Sequence, residues 1–389
     1  MLMFRPVPTC PSGRAAAVGA ALWLAAALPA SAQTSLADAW LSGANTANVP
    51  TITYAGPPIE AKFGHPVPPT SLIPPIWQKS IDRIAKLSNN KLLIKQQGAG
   101  TLLGPRDGFK GVRGGVADWA TCYVQNEGRA TPLARVFEQP FVAPTNPMAG
   151  VRIIQELAPK YFVPEFQKQE VIWGSAIAAL PADLMSKKPV RRWEDLSGMK
   201  IIAQGFPPEL AKAMNVTIVN VPFPEAYVAL QQGLADAMFW VDAGFIPYKI
   251  HEVTRHHTTV GITGFTINHC YGRGFFDKLP ADLKTLFYNT QEPMAMAATK
   301  ISMLDFNRTA QATYREKGIE MITLPADELK RWRELAAPAV EKWASDLEKD
   351  GVPAKQLLAD IRRLEAKYGG LSPDELMRLA IESPVQGIK

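Results

Sequence analysis

The residues best suited to chemistry in this chain are its histidines, because an imidazole can bind a metal ion or move a proton near neutral pH. They are His65, His251, His256, His257 and His269. His251-Glu252 begins like the zinc-protease motif H-E-x-x-H, but Arg255 stands where the second histidine belongs. His256 and His257 are adjacent and cannot share one helix face. We therefore expect no catalytic metal, and interpret the late histidines as polar residues leading into a strand.

The sequence also lacks the motifs for nucleophilic catalysis and for nucleotide binding. Gly174-Ser175-Ala176 has neither flanking glycine of G-x-S-x-G. No basic residue adjoins Cys122 to activate a thiolate. The chain has no G-x-x-x-x-G-K-[ST] loop for phosphates. An exported hydrolase stays open as an alternative, but the sequence favours a protein that is not an enzyme and uses no cofactor.

The N-terminus has the pattern of a secretory signal peptide. Arg5 and Arg14 flank the start of an apolar run over residues 15–28, and Ala30-Ser31-Ala32 offers an A-x-A cleavage site. The run is shorter than the ~20 residues of a membrane span. We predict that residues 1–32 are removed and that the mature protein is periplasmic.

Two cysteines would remain after this cleavage, Cys122 and Cys270. An exported protein could join them in a disulfide. Each lies in an apolar, strand-like run, however, so two buried thiols fit the sequence equally well.

The charge pattern argues against nucleic acid as a partner. The chain has 42 Lys and Arg against 36 Asp and Glu, and the predicted signal peptide carries two of the positive charges. The remaining basic residues are interspersed with acidic ones, as in 330–334. A phosphate-binding surface needs clustered positive charge.

Strands and helices alternate along most of the chain, which predicts βαβ units and parallel sheets. The first half is predicted to have strands at 59–64, 91–95 and 117–123, and helices at 76–87 and 107–113. The second half repeats this order with strands at 200–203, 218–221 and 235–239 and helices at 207–214 and 225–232. A short helix is expected at 36–41, and amphipathic helices at 329–347 and from 373 to 381, the last opened by a capping box at 372–375.

A run of motifs, in order and spacing, resembles the solute-binding proteins of TRAP transporters, the DctP family. Lys188-Pro189-Val190 and Glu194-Asp195-Leu196-x-Gly198-Met199-Lys200 are similar to the family's "kPv…eDlkGlK", and 223–236 to its "fsEvYxALqqGvvD". Looser matches are 101–104, 115–118 and 138–141. The resemblance covers about 62–347.

The resemblance implies an α/β fold of two lobes with crossing strands between them. It implies an extension at 33–60, a first lobe from 61–179 plus 266–305, and a second lobe from 180–265 plus 306–350. Helices at 351–389 would brace both lobes. The protein would act as a monomer, binding a small organic solute in the interlobe cleft and presenting it to the small and large membrane subunits of a TRAP permease. A periplasmic ligand sensor would have the same fold.

One position departs from the family pattern. Ile202 stands where relatives usually hold a solute carboxylate with an arginine, and guanidinium suits that two-pronged contact. Ala182-Asp183 lies where some members have a second arginine. The resemblance therefore predicts an aromatic, neutral or weakly charged solute. A carboxylate held by Arg106 or Arg129, or an organic cation balanced by Asp183 or Asp242, remains an alternative.

The resemblance also places side chains at the cleft. Phe223 and Trp240 are expected to contact the solute, with Met238 pointing the same way as Trp240 because side chains alternate along a strand. The remaining predicted contacts are Ile202, Tyr123, His65 and Arg106.

Overall fold

The structure is a computed structural model that describes residues 35–178 and 181–388. The predicted signal peptide at 1–32 lies outside these residues. Among the described helices, none is both long and apolar enough to cross a membrane.

The described chain alternates strands and helices as the sequence predicts. The strands are β1 Ile59–Gly64, β2 Leu92–Gln97, β3 Trp119–Thr121, β4 Val171–Ala178, β5 Asp183–Ser186, β6 Lys200–Ile202, β7 Thr217–Val219, β8 Ala237–Trp240, β9 His256–Thr259, β10 Thr266–Gly272 and β11 Glu320–Thr323. The helices are α1 Leu36–Leu41, α2 Ile73–Leu87, α3 Gly108–Arg113, α4 Pro147–Tyr161, α5 Val163–Lys168, α6 Pro208–Ala213, α7 Phe223–Gln231, α8 Asp242–Phe245, α9 Ile250–Val253, α10 Arg273–Phe276, α11 Ala281–Thr299, α12 Phe306–Glu316, α13 Ala326–Lys349, α14 Ala354–Tyr368 and α15 Pro373–Glu382.

Two separate sheets form the framework. The first has the order β2-β1-β3-β10-β4, with β1 parallel to both β2 and β3 and β10 antiparallel to its neighbours. The second has the order β11-β9-β5-β8-β6-β7, in which β6, β7 and β8 are parallel and β5 is antiparallel to β8 and β9. Each sheet with the helices packed on it is called a lobe below.

Two strand connections run between the lobes. β4 ends at Ala178 in the first sheet and β5 begins at Asp183 in the second, while β9 ends at Thr259 in the second and β10 begins at Thr266 in the first. The two connections are hydrogen-bonded to each other, since Ala182 N donates to Thr263 O at 2.6 Å. These connections are the crossing strands that the family resemblance predicts.

Helices also join the lobes. A π-helical turn, Lys300–Asp305, links α11, which packs on β4, to α12, which packs on α8 and β11. The long α13 packs on α6, and α14 after it packs on α4. The predicted capping box opens α15, with Ser372 Oγ accepting from Glu375 N and the Glu375 carboxylate accepting from Ser372 N.

A disulfide settles the question that the sequence left open. Cys122, just after β3, is bonded to Cys270 in β10, with the two Cα atoms 5.8 Å apart. The neighbouring backbone already holds these strands together, because Cys122 N donates to Asn268 O at 2.7 Å. The disulfide therefore links the end of β3 to β10, which are neighbouring strands near the centre of the first sheet.

Candidate functional site

The carboxyl ends of the parallel strands in the second sheet carry an aromatic cluster. Trp240 is the last residue of β8, Phe223 opens α7 after β7, and Tyr248 follows α8. Open α/β sheets bind ligands at this end of their strands. We call Phe223, Trp240 and Tyr248 the interlobe aromatic cluster.

The rings of this cluster stack closely. The Phe223 and Trp240 centroids are 3.3 Å apart at an interplanar angle of 20°, and Tyr248 lies 5.3 Å from Trp240 at 28°. Gly244 fits beneath the indole, because a Cβ there would come within 2.9 Å of Trp240 Cδ2. The indole is 9% exposed, whereas Phe223 and Tyr248 are half-buried. The glycine and the stacked rings hold the indole at the sheet end.

Tyr123 approaches the cluster from the first lobe. It follows β3, whose carboxyl end lies beside that of β1. Burial and then the neighbouring Tyr248 raise the pKa of the Tyr123 phenol, while a hydrogen bond with Thr121 opposes them. The phenols of Tyr123, from the first lobe, and Tyr248, from the second, therefore lie near each other.

A second contact crosses the cleft near Glu138. A Cβ on Gly205, in the loop after β6, would lie 3.0 Å from Glu138 Oε2. Burial raises the pKa of Glu138 to about 7, although Arg135 binds its Oε2 through Nε at 2.8 Å and Nη2 at 2.7 Å. Arg135 Nη1 donates to Gly128 O, so each end of this guanidinium already has a partner.

A buried cluster of two carboxylates and an imidazole adjoins Trp240. His257 Nε2 donates to Asp242 Oδ1 at 2.5 Å, and Gln311 donates to Asp242 Oδ2 at 2.8 Å. Asp183 Oδ2 lies 3.8 Å from His257 Nε2. Burial lowers the pKa of His257, but the hydrogen bond that it donates to Asp242 and the charges of Asp242 and Asp183 outweigh this effect, so the pKa is raised overall.

The same cluster links the site to the connections between lobes. Asp183 Oδ1 accepts from Val260 N at 2.8 Å and from Gly261 N at 2.9 Å. Burial, and then the charge of Asp242, raise the pKa of Asp183 to about 6. One carboxylate oxygen therefore fastens the second interlobe connection to the start of β5.

Ile202 and Met238 face the same side of the second sheet as Trp240. Ile202 pairs with Met238 across β6 and β8, and both are 0% exposed in a hydrophobic cluster that includes Trp240. Phe239 points the other way and stacks on Phe206 at 5.5 Å. The expected alternation is confirmed, while contact of Ile202 and Met238 with a solute stays a prediction.

His65 lies at the carboxyl end of β1 but is 1% exposed. Its ring is 4.8 Å from that of Trp77, and its Nε2 is 3.0 Å from Gln96 Nε2. Burial lowers the pKa of His65 to about 4, which the Val67 backbone only partly offsets. The structure brings His65 into the core of the first lobe, and its contact with a solute stays a prediction.

The two arginines proposed as substitutes for the missing one are both exposed. Arg106 lies in the loop before α3, and Arg129 follows the turn after Tyr123. Neither makes a hydrogen bond or ion pair with another described residue. The structure does not bring Arg106 together with the aromatic cluster through any contact within 35–178 and 181–388.

A cavity of about 10 Å³ lies at the connections between lobes rather than at the aromatic cluster. Ala178, Phe265 and Thr266 line it together with Phe137. This volume suits one water molecule at most. The candidate site therefore lies at the strand ends of the second sheet. Binding of a solute at these strand ends would require the lobes to separate.

Several members of this site were not predicted from the sequence. Tyr248 and the Arg135–Glu138 pair gave no motif signal beyond the loose match at 138–141. The sequence suggests Asp183 and Asp242 only as counter-charges for an organic cation, and His257 as a polar residue leading into a strand. Their juxtaposition depends on strand register, which no local pattern encodes.

Comparison with known proteins agrees with this geometry. The family described as "Bacterial extracellular solute-binding protein, family 7" matches residues 63–346, well over half of the chain. The chain belongs to the DctP family of solute-binding proteins. The predicted family membership is thereby confirmed, and so is the two-lobed α/β fold.

This solute-binding protein has named relatives at moderate identity. It is 26% identical to a solute-binding protein of Albidiferax ferrireducens over 59% of this chain and 68% of the relative. It is 28% identical to the ectoine/5-hydroxyectoine-binding periplasmic protein UehA of Ruegeria pomeroyi over 60% of this chain and 71% of the relative.

A solved structure shows the same fold. A TRAP solute-binding protein from Rhodoferax ferrireducens, in complex with copurified benzoate, superimposes with a TM-score of 0.73 at 21% identity. The alignment covers 80% of this chain and 98% of that one. Benzoate is the solute of that protein.

Proposed function

We propose that this protein is exported to the periplasm, captures a small organic solute between its two lobes and delivers it to a TRAP permease of one small and one large membrane subunit. The proposal rests on the family membership and on a relative named as a periplasmic binding protein. The signal-peptide pattern at 1–32 supports export. The protein acts as a monomeric binder without a cofactor.

The observation that carries the proposal is the interlobe aromatic cluster at the strand ends of the second sheet. Trp240 and Phe223 lie on one side and Tyr123 on the other, with Tyr248 between Trp240 and the opposite lobe. Buried aromatic rings provide large contact areas with a flat ligand. The solute therefore has a flat, largely apolar body, and Ile202 and Met238 form the floor beneath the rings.

Capture involves bending at the two strand connections. The first lobe comprises 61–179 and 266–305, and the second 180–265 and 306–350. Because Asp183 and Ala182 tie the two connections together, they bend as one hinge rather than independently. His65 and Arg106 both belong to the first lobe, and their contact with the solute stays a prediction.

Binding rather than hydrolysis is the function that the cluster supports best. The Asp183–His257–Asp242 group has no serine or cysteine hydrogen-bonded to its imidazole among the described residues. Without a serine or cysteine beside it, this imidazole cannot act as the base of a nucleophilic triad. No feature of the described chain favours a sensor over a transport subunit.

Native mass spectrometry of protein purified from its own host tests the proposal. We expect a copurified small molecule on the parent protein, and none on Trp240→Ala, because truncating a central aromatic contact weakens binding by more than ~1 kcal/mol. Trp343→Ala is the matched control, since Trp343 is a half-buried tryptophan on α13, away from the strand ends.

The identified solute is then titrated into all three proteins by calorimetry. Equal affinity for the parent and Trp240→Ala would remove Trp240 from the site. Turnover of the solute, or no solute binding at all, would overturn the proposed function itself.

A further inference from the structure

Asp183 stands directly opposite Trp240, at the end of the second sheet that leads to the first. It is the first residue of β5, Trp240 is the last of β8, and the two are register partners. Opposed residues of antiparallel strands keep their Cβ atoms about 4.5–5.5 Å apart on one face. The carboxylate is therefore an immediate neighbour of the interlobe aromatic cluster.

The two oxygens of Asp183 have different roles. Oδ1 accepts both backbone amides of the interlobe connection. Oδ2 accepts no hydrogen bond from any residue of 35–178 or 181–388, and its one ion-pair partner among these residues is His257 Nε2 at 3.8 Å. The side chain is 12% exposed, whereas those of Asp242 and His257 are 1% and 0% exposed. Only Asp183 can meet a molecule in the cleft.

The charge of this group is not balanced within the described chain. No lysine or arginine of these residues pairs with Asp183 or Asp242, and the α12 residues that face them, Gln311 and Tyr314, are uncharged. With both carboxylates ionised, the group keeps a net negative charge even when His257 is protonated. Burying a carboxylate without a cation costs several kcal/mol. A cation bound beside Asp183 would balance this charge.

We propose that the solute carries a positively charged nitrogen that binds Asp183 Oδ2 while its apolar body lies against the interlobe aromatic cluster. An amidinium or ammonium donates a charge-assisted hydrogen bond to the carboxylate. It also gains from the half-buried ring of Tyr248, because aromatic rings attract cations. This assignment rests on the proposed function and adds the sign of the solute's charge.

A metal ion is the other possible source of positive charge. One ligand atom each from Asp183, Asp242 and His257 lies within 4.8 Å of the others. A metal would have to break the 2.5 Å hydrogen bond between His257 and Asp242 and displace Gln311 from the second oxygen. An organic cation needs only the free oxygen of Asp183, so the geometry favours it.

Three probes of nearly the same shape separate the charge classes: benzamidinium, benzamide and benzoate. The full mature protein is stripped of copurified solute, and binding is measured by calorimetry and by the shift in Tm. We expect benzamidinium to bind at least about tenfold more tightly than benzamide, since a charge-assisted hydrogen bond is added. Benzoate should bind most weakly of the three.

Asp183→Asn isolates the carboxylate. Its amide oxygen can still accept from Val260 and Gly261, so the interlobe connection is kept, while the negative charge is lost. We expect benzamidinium to bind Asp183→Asn no more tightly than benzamide does. Asp277→Asn, at an exposed position of the first lobe, is the control and should bind like the parent.

Three results with added ligands would overturn the inference. They are tighter binding of benzoate than of benzamidinium by the parent, unchanged benzamidinium affinity in Asp183→Asn, and a rise in Tm with calcium, magnesium or zinc ions that Asp183→Asn abolishes. A copurified solute that is an anion would also overturn it while leaving the proposed function intact. If no probe binds and no solute copurifies, both this inference and the proposed function are wrong.

Discussion

Two aromatic groups in this protein use the same residue types in different settings. In the first lobe, Phe63, Trp77 and Trp119 are all 0% exposed, with Phe63 and Trp119 stacked at 4.0 Å. In the interlobe aromatic cluster, the rings remain partly exposed and lie beside a carboxylate. The first group fills a core, whereas the second is placed where a ligand can reach it.

Strand position explains the difference. Phe63 and Trp119 are register partners inside the paired part of β1 and β3, so neighbouring strands and α2 cover them. Trp240 is the final residue of its strand and has the interlobe connection beside it. The indole N–H groups of all three tryptophans lack acceptors among the described residues. An unpartnered N–H therefore does not identify a site, but location at a strand end does.

The largest change in stability that tests this contrast is expected when Trp119→Ala is compared with Trp240→Ala. Trp119→Ala should lower the free energy of unfolding by about 3–5 kcal/mol, because it leaves a cavity between Phe63 and Phe287. Trp240→Ala should lower the free energy of unfolding by less, because the partly exposed rings beside it can move into the space. Urea denaturation followed by circular dichroism measures both; equal losses would make Trp240 an ordinary core residue.

Removing the disulfide tests how far the first lobe depends on covalent bracing. The bond closes a segment of 148 residues between Cys122 and Cys270. The double change Cys122→Ala and Cys270→Ala should lower the free energy of unfolding by about 2–5 kcal/mol. We expect the affinity for the solute to change little, since neither cysteine belongs to the interlobe aromatic cluster. A loss of binding without a loss of stability would contradict this separation.

The pH dependence of stability tests the buried charge beside Trp240. The pKa of Asp183 is raised to about 6 by burial and Asp242, above the ~3.9 of an unfolded chain. The folded state thus holds this proton more tightly, so the contribution of Asp183 to stability falls as pH rises from ~4 to ~6 and stays low above that. Asp183→Asn cannot titrate, and the parent should lose stability relative to it across that window.

The measurement is the free energy of unfolding of solute-free parent and Asp183→Asn from pH 4 to 8, with Asp277→Asn as the control. A difference between parent and variant that does not change with pH would show that Asp183 is not buried as described.

The smallest effect is expected for the exposed arginines. Arg106→Ala and Arg129→Ala should each change stability and solute affinity by less than about 0.5 kcal/mol, since neither side chain has a partner among the described residues. Calorimetric titration of the copurified solute checks this. A large loss of affinity in either variant would show that a non-standard arginine holds a solute carboxylate, and would contradict the charge assigned to the solute.

Much of the fold could be predicted from local pattern. The helix at Leu36–Leu41, the strand at Ile59–Gly64 and the capping box at Ser372 are confirmed, because each depends on residues within a few positions of one another. β3 is two residues shorter at each end than predicted, and β8 begins two residues later and ends one residue later, since pairing with β10 and β5 decides where a strand begins and ends.

The candidate site was only partly predictable. Phe223 and Trp240 were found through the family motif, and their stacking agrees with it. His65 was expected at the cleft but packs against Trp77, because the loop at Gly98 folds over it. Tyr248 was missed, since it lies in no recognisable motif, whereas Asp183 was predicted only as one of two alternative counter-charges for an organic cation.

By itself, the sequence determined the alternation of strands and helices and the family. These follow from residue type and from spacing over a few positions. Only the tertiary structure decided that Cys122 bonds to Cys270, and that Asp183 meets Val260, 77 residues away, as well as His257. The physical reason is that such contacts depend on strand register and on how two sheets are joined.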